Sequence, residues 1–399
     1  MKLMKKLMIL GASILQVPAI RKAKDMGLYV IAVDMDKHAV GFAYADEALV
    51  ISTIDIDSVL KAAREREIDG IMTLASDMPM RTVAAVSKAM GVAGIDEDTA
   101  IRATNKADMR QCLKDHGVPV PVFYRVRTYE DFERAAASFS GPFIVKPADN
   151  SGSRGVTKVE NPNAGAAVKR AYASGKQYSR DGDLVVEEFM QGQEVSVETL
   201  SLEGTVHVIQ ITDKRTTGAP HFVEMGHSQP TCLSQEIVDR ICCTAVDAVK
   251  AIGIQNGPSH TEIIVTQDGP KIVELGARLG GDCITTHLVP LSTGVDMVES
   301  CIRIALGEKP DVIPKWHRGA AIRYMSSHKG VLKSVIGLEE AEQTDGISQI
   351  SLVKSPGDAI SDICSSADRI GFVIAGGETA QSAASACEEA MAKIRIVIE

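Results

Sequence analysis

The chain has 399 residues, 45% hydrophobic and 24% charged, enough for two or three ordinary domains with ample core. A net charge of −9 argues against non-specific nucleic-acid binding but leaves room for a local basic groove around a nucleotide. Eight cysteines without a CxxC pair argue against a disulfide scaffold, and no apolar run is long enough to span a bilayer.

The opening MKLMKKLMILGAS has a short apolar run that continues into a strand–turn–helix pattern. It therefore reads as part of the fold rather than a secretion signal, and the expected location is the cytoplasm. Residues 1–104 alternate short strands (Leu7–Leu10, Tyr29–Val33, Ala48–Ile51, Gly70–Leu74) with helices near 18–26, 58–67 and 82–90. This is βαβ logic and predicts an open parallel sheet. Ligands of such sheets sit at the carboxyl ends of the strands, which nominates Gly11, Asp34, Ser76 and Asp77. Ser76 and Asp77 serve equally well as helix caps before Pro79. Gly11 with Asp34 imitates a dinucleotide site, but the G-x-G-x-x-G spacing is absent, which disfavours an NAD-dependent oxidoreductase.

Thr104 or Asn105 caps a helix that begins at Lys106 and runs to about His116. After a helix near 130–138, the strand Phe143–Pro147 carries Lys146 near its end. It meets the loop Ala148–Gly155, and Val156–Val159 returns as a strand. The backbone N–H groups of a strand–Gly/Ser loop–strand unit can wrap phosphates, although taken alone such a loop is ordinary and Lys146 an ordinary surface lysine. Leu184–Met190 and Glu194–Glu198 read as strands around Gln191-Gly192, and Val206–Ile211 follows. Glu224-Met225-Gly226-His227 reads as a loop offering an acid and an imidazole three positions apart.

Residues 262–265 and 271–275 flank the turn Gln267-Asp268-Gly269-Pro270 and predict a β-hairpin. With Asp268 at the turn centre, Glu262 and Glu274 oppose one another across the strands. Opposed carboxylates repel, and a divalent cation reverses that; Mg²⁺ suits because it takes carboxylate and phosphate oxygens together. The same repulsion predicts that removing either acid slightly raises the metal-free melting temperature. A solvated strand face would account for one such glutamate better than for the opposed pair. Arg278 follows on a glycine-rich corner open to a phosphate.

In chain order, Lys106, FIVKPADNSGSRGV (143–156), VVEEFMQGQEVSVE (185–198) and HTEIIV…KIVELGAR (260–278) together resemble the ATP-grasp superfamily. The resemblance implies α/β and α+β architecture in three parts. These are an N-terminal βαβ domain (1–104), an ATP-grasp domain (105–314, lid about 115–186) and a small C-terminal α+β domain (315–399). It implies that Lys106 and Lys146 contact ATP phosphates, with Ser151, Gly152, Ser153 and Gly155 as the lid. Glu187, Glu188 and the main chain of Phe189 would hold adenine and Glu194 the ribose. Glu262 and Glu274 would hold Mg²⁺ or Mn²⁺, and Arg278 would face the transferred phosphoryl and the substrate carboxylate. The family's Glu-x-Asn-Pro-Arg is replaced here by Glu274-Leu275-Gly276-Ala277-Arg278, so an asparagine ligand is missing. ELGARLGGD and HFVEMGHSQP (221–230) look closest to the branch of L-amino-acid ligases that make dipeptides. That adds Glu224, His227 and Gly281 as substrate contacts and makes Arg278, Lys146 and His227 the catalytic candidates.

The expected activity is ATP-dependent ligation of a small-molecule carboxylate to an amine, with no nucleic-acid or membrane partner and a homodimer left open. Within the same fold, the rivals are a phosphoribosylglycinamide synthetase, an aminoimidazole ribotide carboxylase and a carbamoyl-phosphate-synthetase-like subunit. Outside catalysis, the rival is a silent nucleotide-binding module.

Overall fold

A computed structural model describes residues 4–399 except 151, 153, 219 and 220. The N-terminal strands form a parallel sheet in the order Glu47–Val50, Tyr29–Asp34, Lys6–Leu10, Gly70–Met72. Both faces of its central strands are covered: Met8, Leu10, Ile31 and Val33 pack into one core, and Leu7, Ile9, Val30 and Ala32 into another. That is why these strands read as continuous apolar runs. At the carboxyl ends, Asp34 accepts from the Ala12 N–H at 2.8 Å, and the buried Gln16 fills the space above Gly11.

A four-stranded antiparallel sheet follows, ordered Phe123–Val126, Leu184–Glu188, Phe143–Pro147, Thr157–Val159. Helices Tyr129–Ala137 and Gly165–Tyr178 share its core through Phe132, Phe143 and Ala171. The second helix has little local signal in the sequence, with an internal glycine and no side-chain cap.

An eight-stranded sheet organises the remainder. Its order is Gly269–Gly276, Gly257–Thr266, Gln193–Leu202, Thr205–Thr216, Glu224–Gln229, Gly319–Met325, Gly371–Gly377, Ile347–Leu352. The segment Glu224–His227, expected as a loop, is therefore a strand, paired to Lys214–Thr216 on one side and to Arg323–Ile322 on the other. Backbone pairing on both sides is what the sequence reading missed. The sheet runs without a break across residue 315, so the C-terminal strands extend the central one. Among the described residues, no helix is long and apolar enough to cross a membrane.

Candidate active site

The hairpin positions the two metal-binding candidates through a bulge. Its turn is centred one half-residue earlier than expected, since Thr266 pairs with Gly269 and Ile263 with Ile272. A register shift between Glu262 and Ile263 then skips Val273 and sets Glu262 opposite Glu274. The carbonyl of Val273 accepts from the Arg110 guanidinium at 2.5 Å.

Each glutamate is paired with a lysine. Lys106 Nζ lies 2.8 Å from Glu274 Oε1 and 2.6 Å from the Asn150 carbonyl. Lys106 starts the helix Lys106–Asp115, capped by the Asn105 side chain, which accepts from Ala107 and Asp108 N–H. Lys214, absent from the sequence reading, serves the other acid. Its ammonium is buried 2.8 Å from Glu262, 2.5 Å from Glu194 and 3.5 Å from Glu224. Burial opposes its charge, yet Glu262, Glu194 and Glu224 hold its pKa well above the usual lysine range. One ammonium thus joins a metal candidate, the ribose candidate and a substrate candidate. A second register shift, between Arg215 and Thr216, pairs Thr216 with Glu224 while Lys214 stays opposite His227. Directly opposed residues share a face, so Glu224 and His227 flank Lys214 together despite their odd spacing.

A buried dyad supports Glu262. His260 Nδ1 is 2.6 Å from Glu198 Oε1, and its Nε2 is 3.6 Å from Glu262 Oε1. A side chain at Gly280 would strike both His260 and Glu198, at 2.7 and 2.9 Å from its Cβ. Burial disfavours the charged ring, but Glu198 overcomes it and pushes the His260 pKa up to about 9. A raised pKa means the folded state holds the extra proton, so the dyad's contribution is complete below pH 6.5 and lost as pH rises through 9. We expect the ligand-free protein to lose on the order of 3 kcal/mol over that interval. His260→Gln should flatten the profile in urea titrations, and a variant with the wild-type slope would contradict the assignment.

Arg278 donates through Nε to Asp77 Oδ1 at 2.8 Å, which ties the hairpin corner to the N-terminal sheet. Burial alone would raise the Asp77 carboxyl; Arg278 more than offsets this and holds it below its ordinary value. The pair also accounts for Gly276: a Cβ there would lie 3.1 Å from Asp77 Oδ1 and 3.2 Å from Arg278 Nε. An asparagine there would be tight, requiring Asp77 or Arg278 to give by a few tenths of an ångström. Gly276→Asn should therefore destabilise by about 1–3 kcal/mol through overpacking, seen as a lower melting temperature, and an unchanged one would show that the pair can yield.

Lys146 is buried against Glu187, whose other oxygen binds the fully buried Arg110 at 3.0 Å. Burial would raise the Glu187 carboxyl, but Arg110 and Lys146 hold it low; burial lowers Lys146. Glu188 pairs with Lys271 at 2.7 Å. The Phe189 N–H bonds the Pro142 carbonyl, and Lys158 lies 3.8 Å from the Phe189 ring centroid. Gly152 and Gly155 have positive φ, +67° and +77°, as a backbone turn requires. Ser151 and Ser153 lie outside the described residues. His227 is buried with neither ring nitrogen hydrogen-bonded, and its Nε2 is 3.5 Å from Asp282 Oδ2. Arg369 grips both Asp282 oxygens at 2.7 and 2.8 Å. A side chain at Gly281 would meet nothing within 4 Å.

Lys106, Glu274, Asp77, Asn150, Arg154 and Arg180 line one cavity. Arg180, also missed from sequence, sits in a turn whose N–H groups, with that of Asp181, bind Asp149. As donors, Glu262 and Glu274 suit a magnesium ion in being hard oxygens, opposed across one hairpin and partly exposed, while Lys106 and Lys214 each hold one oxygen that a metal would compete for. Among the described residues no third His, Cys, Asp or Glu completes a metal cluster, so remaining ligands would come from phosphate and water.

Residues 139–286 match the ATP-grasp domain family, and residues 323–399 match L-amino acid ligase C-terminal domain 2. The chain is 25% identical over 274 residues to an L-arginine-specific L-amino acid ligase of Bacillus subtilis, covering 68% of this chain and 66% of that protein. An L-amino acid ligase from Bacillus licheniformis superimposes with a TM-score of 0.85 at 25% identity, over 99% of each chain. A phosphoribosylglycinamide synthetase from Anaerococcus prevotii, at 23% identity, shares the fold with a TM-score of 0.80 over 99% of this chain and 100% of that one. The chain thus carries an ATP-grasp domain followed by an L-amino acid ligase C-terminal domain.

Proposed function

We propose that the protein is an ATP-dependent carboxylate–amine ligase that joins amino acids. The observation that carries this reading is the convergence of Lys106, Glu274, Asp77 with Arg278, Arg154 and Arg180 around one cavity, with Glu262 opposite Glu274. A substrate carboxylate accepts the γ-phosphoryl of ATP, giving an acylphosphate and ADP. An amine then attacks the acyl carbon and phosphate leaves. Magnesium or manganese held by Glu262 and Glu274 would supply charge neutralisation across the phosphates.

The chain's own residues position and neutralise. Lys106 is already at the edge of the cavity; Lys146 reaches a phosphate only by leaving Glu187. Arg278 offers a planar fork to the carboxylate or acylphosphate. Glu224 receives the substrate ammonium, and His227, whose Nε2 faces Asp282 at 3.5 Å, takes the proton that the amine loses. The space between the residues that line the cavity is about 30 Å³, too small for a nucleotide, so ATP binding requires its walls to move apart. Eight cysteines free of disulfides support a reducing, cytoplasmic setting.

An ADP-release screen tests the reading, running ATP–Mg²⁺ with amino-acid pairs and, separately, with phosphoribosylamine plus glycine. Release confined to amino-acid pairs is the expected result. Release confined to the second mixture would transfer the chain to purine synthesis.

A further inference from the structure

A second cavity, of about 590 Å³, lies between the ends of the Thr205–Thr216 and Gly319–Met325 strands and the C-terminal helix Ala380–Lys393. None of its lining residues belongs to the cavity around Lys106. Its size is that of an ordinary small-molecule site, about 300–1,000 Å³. One wall is apolar, formed by Met225, Ile363 and Met391, of which the methionines adapt readily to ligand shape.

The polar side is two arginines sharing one carboxylate. Arg323 is only 8% exposed. Its Nη1 donates to the His227 carbonyl at 3.0 Å, and both Nη atoms lie 3.2 Å from Ser228 Oγ. Its Nε is buried without a hydrogen-bond partner; the nearest anionic atom is Glu388 Oε1 at 3.6 Å. The same oxygen lies 3.1 Å from Arg215 Nη1. A Cβ at Gly226 would lie 2.8 Å from the Ile322 carbonyl oxygen and 2.9 Å from Arg323 Cδ, so strand and arginine both close on this glycine. Glu388 is more than half exposed, so its ion pairs are worth little and it can swing to water. A buried N–H left unbonded is costly, and an Arg fork fits a carboxylate in two-point fashion.

We propose that this cavity is a second small-molecule site, one that binds a monocarboxylate bearing an apolar side chain. The ligand carboxylate takes the Arg323 Nε in place of Glu388, and the apolar group lies against Met225, Ile363 and Met391. The proposal is independent of the ligase reading.

The test is calorimetric titration of the full chain with N-acetyl-L-leucine, which has the carboxylate and apolar group but no free amine, and with N-acetyl-L-leucinamide. The acid should bind and the amide should not. Arg323→Gln should weaken binding at least about tenfold, the loss expected for one charge-assisted contact. Because Arg323 is buried, the exposed Arg215→Gln and the cavity-filling Met391→Trp provide variants that avoid removing a buried charge, and both should weaken binding. Glu388→Gln should strengthen it. No binding to the wild type, or equal binding of acid and amide, would overturn the proposal. So would binding lost in Lys106→Ala but retained in Arg215→Gln and Met391→Trp, since the ligand would then occupy the cavity around Lys106.

Discussion

Lys214→Met is expected to cost the ligand-free protein about 3–5 kcal/mol at neutral pH, the range found when one partner is removed from a buried ion network. The variant leaves Glu194, Glu224 and Glu262 facing one another with their shared cation gone. Glu194 shows the strain already: burial and the neighbouring Glu262 and Glu224 hold its pKa above the usual value, although Lys214 opposes them. Without the lysine these carboxyls take up protons more readily in the folded state. The deficit should therefore shrink as pH falls toward 4.5, where the acids no longer need a counter-ion. Urea titrations at pH 7 and pH 5 measure both effects. A variant as stable as the wild type at pH 7 would show that the three acids are already protonated or solvated.

Glu262→Ala and Glu274→Ala should each reduce ATP-dependent turnover by about 10²–10³-fold or more, the scale of losing one aligned electrostatic contact to the reacting phosphoryl. Their effect on stability reverses the expectation from sequence. Mutual repulsion predicted a slight gain in the metal-free melting temperature. In the structure each acid instead neutralises a buried lysine, so removing Glu274 strands Lys106 and removing Glu262 unbalances Lys214. Both variants should melt below the wild type, by calorimetry. Wild-type turnover in both would move the metal site elsewhere.

The contrast shows what the sequence carried. The hairpin was legible from its turn and flanking apolar runs, but the opposed glutamates follow only because an earlier turn centre and a bulge that no local signal marked cancel. The helix start at Lys106 was legible from its cap. Lys214 was not, because the apolar run stops at Ile211 while the strand continues to Thr216. The alternation Gln210, Thr212, Lys214, Thr216 was the available signal, a polar face continuing past the apolar one. Arg110, four residues after Lys106, shared its helix face, and that spacing could have paired them. Asp282 with Arg369 and Asp77 with Arg278 join residues far apart in the chain. Nothing short of the fold brings them together.

The most direct test follows oxygen. Amino acids carrying ¹⁸O in their carboxylates are incubated with the protein and ATP–Mg²⁺, and the released phosphate is examined by mass spectrometry. If a carboxylate is activated as an acylphosphate and then attacked by an amine, one labelled oxygen passes to phosphate for each amide formed. ADP release accompanied by unlabelled phosphate would contradict the account.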